Sequence, residues 1–169
     1  MLALSPTDMK TKFTLFVTVL TIALFLSGCA SSITVMPVDP VVANIGILKQ
    51  GELMGNNRDY RFGEVPKELE GLNFVRMECR GKNEFPASSL HYEYRVRGKF
   101  KVYALVVTDP VDGSELISDG WKKTEYTMKV AGNPILVYEK IVSNGRFKMI
   151  SGGHWAYMLA GEIPIKIEE

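Results

Sequence analysis

The sequence predicts an all-β domain, an antiparallel β-sandwich, behind a removable N-terminal helix. Three observations predict it. Residues 92–102 alternate apolar and charged side chains, the period-two signature of half-buried strand. Short β-rich runs follow at close intervals, divided by turn formers such as Asp109-Pro110-Val111-Asp112-Gly113, Gly132-Asn133-Pro134 and Ser143-Asn144-Gly145. No long helical pattern separates them, so the chain lacks the crossover helices that a parallel sheet needs.

Composition narrows the function. The 169 residues carry 20 Lys+Arg against 19 Asp+Glu, a net charge of +1. A balance this even argues against a nucleic-acid partner, which demands a basic excess. Two cysteines cannot form a disulfide framework or a four-thiolate zinc site, and two histidines are few for a metal centre. No cofactor or metal is therefore expected.

The first element is an export signal. Lys10 and Lys12 precede the uncharged apolar run of residues 13–26. A basic start, a short apolar core and a small-residue end define a secretory signal. The run is short of the roughly 20 residues that span a bilayer. Met9 is the expected initiator, because Asp8 spoils the basic start and Met9-Lys10-Thr11-Lys12 restores it. The run closes on Leu26-Ser27-Gly28-Cys29, which resembles the lipobox of bacterial lipoproteins. That resemblance implies cleavage between Gly28 and Cys29 and diacylglycerol on the Cys29 thiol. In a Gram-negative cell it also implies the outer membrane, because Ala30 stands where an Asp retains such proteins on the inner membrane. Several acyl chains hold a domain at a membrane where one would be marginal.

Removing residues 1–28 takes away Lys10, Lys12 and Asp8, so the 20 bases and 19 acids fall to 18 each. Cys79 then stands as a free thiol, read as a small buried hydrophobe. Residues 29–44, small and proline-bearing, read as a lipid-anchored tether merging into a first strand, and 45–169 as the sandwich. Pro66–Leu72 fits one or two helical turns. Strands are expected over Asp59–Phe62, Asn73–Glu78, Tyr92–Val102 with a break at Gly98, Phe100–Thr108, Thr124–Val130, Pro134–Ile141, Arg146–Ile150, His154–Leu159 and Ile163–Ile167.

Several motifs recur in a known order. Tyr60-Arg61-Phe62 leads to Val65-Pro66-Lys67-Glu68-Leu69-Glu70-Gly71 and Phe74-Val75-Arg76. Phe100–Leu105, Gly120-Trp121 and Thr124, Val137-Tyr138-Glu139-Lys140, Asn144–Phe147 and Gly152-Gly153 follow. The order resembles the galactose-binding-like β-sandwich module attached to polysaccharide lyases and glycoside hydrolases. The chain departs from that pattern at Val75-Arg76-Met77 and at Val107–Val111. The resemblance implies a jelly-roll sandwich with a non-catalytic role beside carbohydrate.

Candidate ligand contacts are Arg76 and Trp121. A tryptophan face can stack on a sugar ring, and an arginine fork can hold hydroxyls or carboxylates. The commoner roles are a packed tryptophan and an ion-paired arginine, with Glu78 or Glu64 as partner. Trp155 and Tyr157 share a face and read as core. Arg95, Arg97, Lys99 and Lys101 form a basic stripe. It would meet an anionic ligand or, more ordinarily, form a solvated strand face matched by neighbouring acids. Asp109, Asp112, Glu115 and Asp119 lack calcium-loop spacing and read as a turn. No nucleophile elbow, metalloprotease helix or phosphate loop occurs, so an enzyme is not expected and a hydrolase ranks last. The expected function is an outer-membrane-anchored lipoprotein with a non-catalytic glycan-binding sandwich. The alternative is a structural or adaptor lipoprotein that holds an envelope protein or other envelope component.

Overall fold

A computed structural model describes residues 31–36, 44–56, 58–76, 91–107, 114–150 and 157–168. Its strands are β1 (Ser32–Met36), β2 (Asn44–Ile47), β3 (Asn73–Arg76), β4 (His91–Arg97), β5 (Phe100–Val107), β6 (Lys122–Val130), β7 (Asn133–Val142), β8 (Gly145–Ile150), β9 (Tyr157–Gly161) and β10 (Ile165–Ile167). A single described helix, α1 (Ser114–Ser118), precedes β6. The strands form a four-stranded sheet in the order β10-β1-β4-β8 and a six-stranded sheet in the order β2-β3-β9-β5-β7-β6. All pairings are antiparallel except β1 with β10. The protein is thus an all-β, two-sheet sandwich.

Side-chain period explains each layer. In β4, Tyr92, Tyr94 and Val96 are buried while Glu93, Arg95 and Arg97 face outward. In β1, Ile33 and Val35 are buried between half-exposed neighbours. These apolar faces meet the six-stranded sheet: a Cβ placed on Gly161 of that sheet would lie 3.7 Å from Ile33 Cδ1 of the smaller one. The β5 run is different, because every residue from Val102 to Val107 is buried. A continuous apolar run needs cover on both faces.

The second cover is the segment between β2 and β3. The register places Phe74, Ala160, Tyr103 and Glu139 in one row across β3, β9, β5 and β7, so they share a face. Phe62 presses its ring edge onto Phe74, centroids 5.3 Å apart, and bridges to Val130. The Gly63 N–H donates to the Lys129 carbonyl at 2.7 Å. Leu48, Met54, Leu69 and Leu72 join this buried cover. Fully burying a large apolar side chain stabilises by about 1.5–3 kcal/mol, and that drives an irregular segment onto the sheet.

Gly98, at φ 102°, turns the chain between β4 and β5, a backbone that L side chains disfavour. The two strands then join different sheets. The β6–β7 hairpin turns on Ala131 and Gly132, both at positive φ, with Val130 paired to Asn133, as a two-residue type I′ turn requires.

Four expectations change here. Asp59–Phe62, expected as a strand, holds only isolated bridges, from Arg61 to Leu53 and from Phe62 to Val130. Residues 32–36, placed in the tether, form β1 between β10 and β4. Residues 67–71 form turns rather than helix. Ser114–Ser118, read as loop, is helical. The signal segment, Gly28, Cys29, Cys79, Asp109, Asp112 and Trp155 lie outside the described residues, as does the side chain of Tyr157.

Candidate functional site

The site begins at the end of α1. The N–H groups of Asp119, Gly120 and Trp121 donate to the carbonyls of Leu116, Ile117 and Leu116. This closure turns the Trp121 side chain inward, where it is 2% exposed. Its ring edge meets Phe147, centroids 6.5 Å apart, and Phe147 stacks on Tyr94 at 4.9 Å. The Trp121 Nε1–H donates to Asp119 Oδ2 at 3.3 Å. Lys140 crosses above: its ammonium lies 5.7 Å from the Trp121 ring centroid and donates to the Asp119 carbonyl and carboxylate.

Beside this corner lies an open cleft of about 330 Å³, lined by Lys101, Gly120, Lys122, Glu139, Lys140 and Ile141. Three adjacent strands supply it. Register sets Lys101 opposite Ile141 and Lys122 opposite Glu139, which brings residues distant in sequence onto one surface. Lys101 donates to Glu139 across 2.9 Å and lies 6.0 Å from the Tyr103 ring centroid. The hydrogen bond to Glu139 raises the Lys101 pKa, with further help from Tyr103 and from the Glu139 charge, so Lys101 is firmly cationic. Burial raises the Tyr103 phenol, against the opposing pull of Lys101. Ile141 is 62% exposed. A second cleft of about 250 Å³ adjoins the first, sharing Lys140 and Ile141 and continuing to Arg146 and Phe147.

The structure redistributes the residues singled out from sequence. Trp121 offers no open face to a sugar, because the helix closure buries it; of the two roles weighed for it, packing, the commoner one, is the role seen rather than a stacking platform. Arg76 is engaged by the Glu52 carboxylate, at 20% side-chain exposure for both, and its Nε is buried without a hydrogen-bond partner among the described residues. Glu64 is not its partner, and Glu78 lies outside the described residues. The basic stripe does not exist as one surface. Arg95 and Arg97 end β4 in the smaller sheet, Lys99 follows the Gly98 turn, and Lys101 belongs to the larger sheet. Arg95 bonds Glu168 at 3.1 Å. Of the residues picked from sequence, only Lys101 lines the cleft. Lys122, Glu139, Lys140 and Ile141 were not singled out as ligand contacts, although Glu139 and Lys140 stand in a quoted motif and a charged Glu139 interrupting the apolar β7 run was a readable signal. Among the described residues, no group of three or more His, Cys, Asp or Glu is placed to hold a metal.

This fold is a two-sheet β-sandwich of a kind also found inside glycoside hydrolases. A β-glucuronidase from glycoside hydrolase family 2 superposes with a TM-score of 0.60 at 17% identity, covering 75% of this chain and 14% of that one. A GH138 enzyme targeting pectin rhamnogalacturonan II superposes with a TM-score of 0.51 at 15% identity, covering 80% of this chain and 17% of its own. The chain thus spans a small part of either enzyme's length, and identities this low establish a shared fold. No protein-family model matches the sequence, and no curated protein matches it.

Proposed function

We propose that the protein is a lipoprotein, anchored in the outer membrane through Cys29, whose sandwich is a non-catalytic glycan-binding module. The cleft carries the reading. It supplies hydrogen-bond donors from Lys101, Lys122 and Lys140, an acceptor in Glu139 and an apolar contact in Ile141. Ligand sites combine few oriented polar groups with apolar surface and measure about 300–1,000 Å³, which the cleft meets. Occurrence of the same fold within glycoside hydrolases supports carbohydrate as the partner.

The test is a glycan array probed with the full chain purified in detergent, repeated with Lys101→Ala/Glu139→Ala. Binding of a defined glycan family, lost in the double variant at unchanged melting temperature, is expected. No binding to any glycan, or binding that survives the double variant, defeats the reading. Anchoring is checked separately by labelling cells with an alkynyl fatty acid: the native chain takes the label and Cys29→Ser does not.

A further inference from the structure

We propose that the cleft selects an acidic glycan, one bearing a carboxylate on its sugar rings, and that Lys122 receives that carboxylate. This rests on the glycan-binding reading. The inference follows from how the charges around the cleft are already committed. Lys101 is bound to Glu139 at 2.9 Å. Lys140 is bound to Asp119 at 3.0 Å and lies near the Trp121 ring. Lys122 sits opposite Glu139 in the β6–β7 register, yet it makes no ion pair among the described residues. Three ammonium groups therefore surround one lining carboxylate, and the surplus positive charge is concentrated on Lys122.

A neutral sugar would leave that charge unanswered. A ring carboxylate would meet it in a concave surface, where low-dielectric walls focus the field better than a flat exposed strand does. Lys122 is also the group free to move, because Lys101 and Lys140 are held by their partners. Glu139 uses one oxygen for Lys101, leaving its other oxygen as an acceptor for a sugar hydroxyl. That arrangement discriminates: the carboxylate of the ligand faces Lys122, and its hydroxyls face Glu139. Ile141 lies between the two clefts and lines both, giving the apolar edge of a ring a surface to cover.

The site is longer than one sugar residue needs. The second cleft carries the positive lining onward through Lys140 to Arg146, whose guanidinium is shared with Glu93 at 3.1 Å. Two adjoining clefts give room for more than one ring, so an oligosaccharide of uronic acids fits better than a single acidic sugar.

The experiment is isothermal titration of the full chain in detergent with galacturonate, glucuronate, mannuronate and guluronate tetrasaccharides. Each is paired with the same tetrasaccharide after reduction of its carboxyls to alcohols. The expected result is at least tenfold tighter binding of one acidic form than of its reduced partner. Raising NaCl from 50 to 500 mM should weaken that binding, since exposed charges are screened within about 3–15 Å over this range. Lys122→Ala should cut acidic binding about tenfold without changing the melting temperature, and Lys122→Arg should retain most of it. Equal affinity for acidic and reduced forms, or an unaffected Lys122→Ala, overturns this inference while leaving the glycan-binding reading standing. Binding only to neutral glycans on the array does the same. No binding to any glycan overturns both.

Discussion

Replacing Tyr94 by Phe removes one oxygen from the middle of the sandwich and should stabilise the protein. Tyr94 is fully buried on the inner face of β4, between Val35 of β1 and Phe147 of β8. Its hydroxyl has no hydrogen-bond partner among the described residues. A buried polar group left unpaired costs about 1–3 kcal/mol. Phe keeps the stacking on Phe147 and gives up only the contacts of one atom, so a net gain of about 1 kcal/mol is expected at pH 7. For a domain of this size that is a rise in melting temperature of roughly 3–6 °C. A second effect appears in alkali. Burial, with a smaller contribution from Tyr92, pushes the Tyr94 phenol well above its ordinary value. The unfolded phenol releases its proton near pH 10, as a model tyrosine does, while the folded one keeps it. Above pH 10 the unfolded state therefore binds fewer protons, and stability falls with pH by about 1.4 kcal/mol per unit from this group alone. Below pH 10 the group adds no pH dependence. Urea unfolding followed by far-ultraviolet circular dichroism from pH 7 to 11 measures both effects. The advantage of Tyr94→Phe should be steady to about pH 10 and widen beyond it. A variant less stable at pH 7, or one with the native alkaline slope, refutes the reasoning.

Two other changes probe the backbone. A Cβ on Gly46 would lie 2.4 Å from Phe74 Cε1, and that ring is fully buried against Phe62. Gly46→Ala should therefore destabilise by about 1–3 kcal/mol through overpacking. At Gly63 the nearest atom would be 3.5 Å away, so Gly63→Ala serves as the control; equal denaturation midpoints for the two variants would sink the steric argument. Ala131 holds φ 47° in the β6–β7 turn, a conformation costing an L side chain about 1–2 kcal/mol. Ala131→Asn creates the Asn-Gly pair that such turns favour and should raise stability by about 1 kcal/mol; a lower midpoint in urea would count against the turn assignment.

Strand positions were legible because period is a local property. The alternation of Tyr92, Tyr94 and Val96 with Glu93, Arg95 and Arg97 marks β4, and the unbroken Val102–Val107 run marks a strand covered on both faces. Turn residues such as Gly98 and Gly132 marked where strands end. The candidate site was far less legible. Trp121 looked like a loop residue by its neighbours, and only the closing hydrogen bonds after α1 turn it into the core. The basic stripe looked continuous because the sequence alternates smoothly through Gly98, yet the chain changes sheets there.

By itself, then, the sequence determined the all-β class and most of the strands and turns, each written in residues that are neighbours along the chain, while β1 was hidden in residues read as tether. The tertiary structure decided which strands pair, that residues 32–36 enter a sheet beside β10, and that Phe62 returns to roof Phe74. It also decided the cleft, where Lys101, Lys122 and Glu139 meet through the registers of β5, β6 and β7. The reason is physical: alternation depends on the geometry of one strand, whereas register and layering are fixed by how distant apolar faces bury one another.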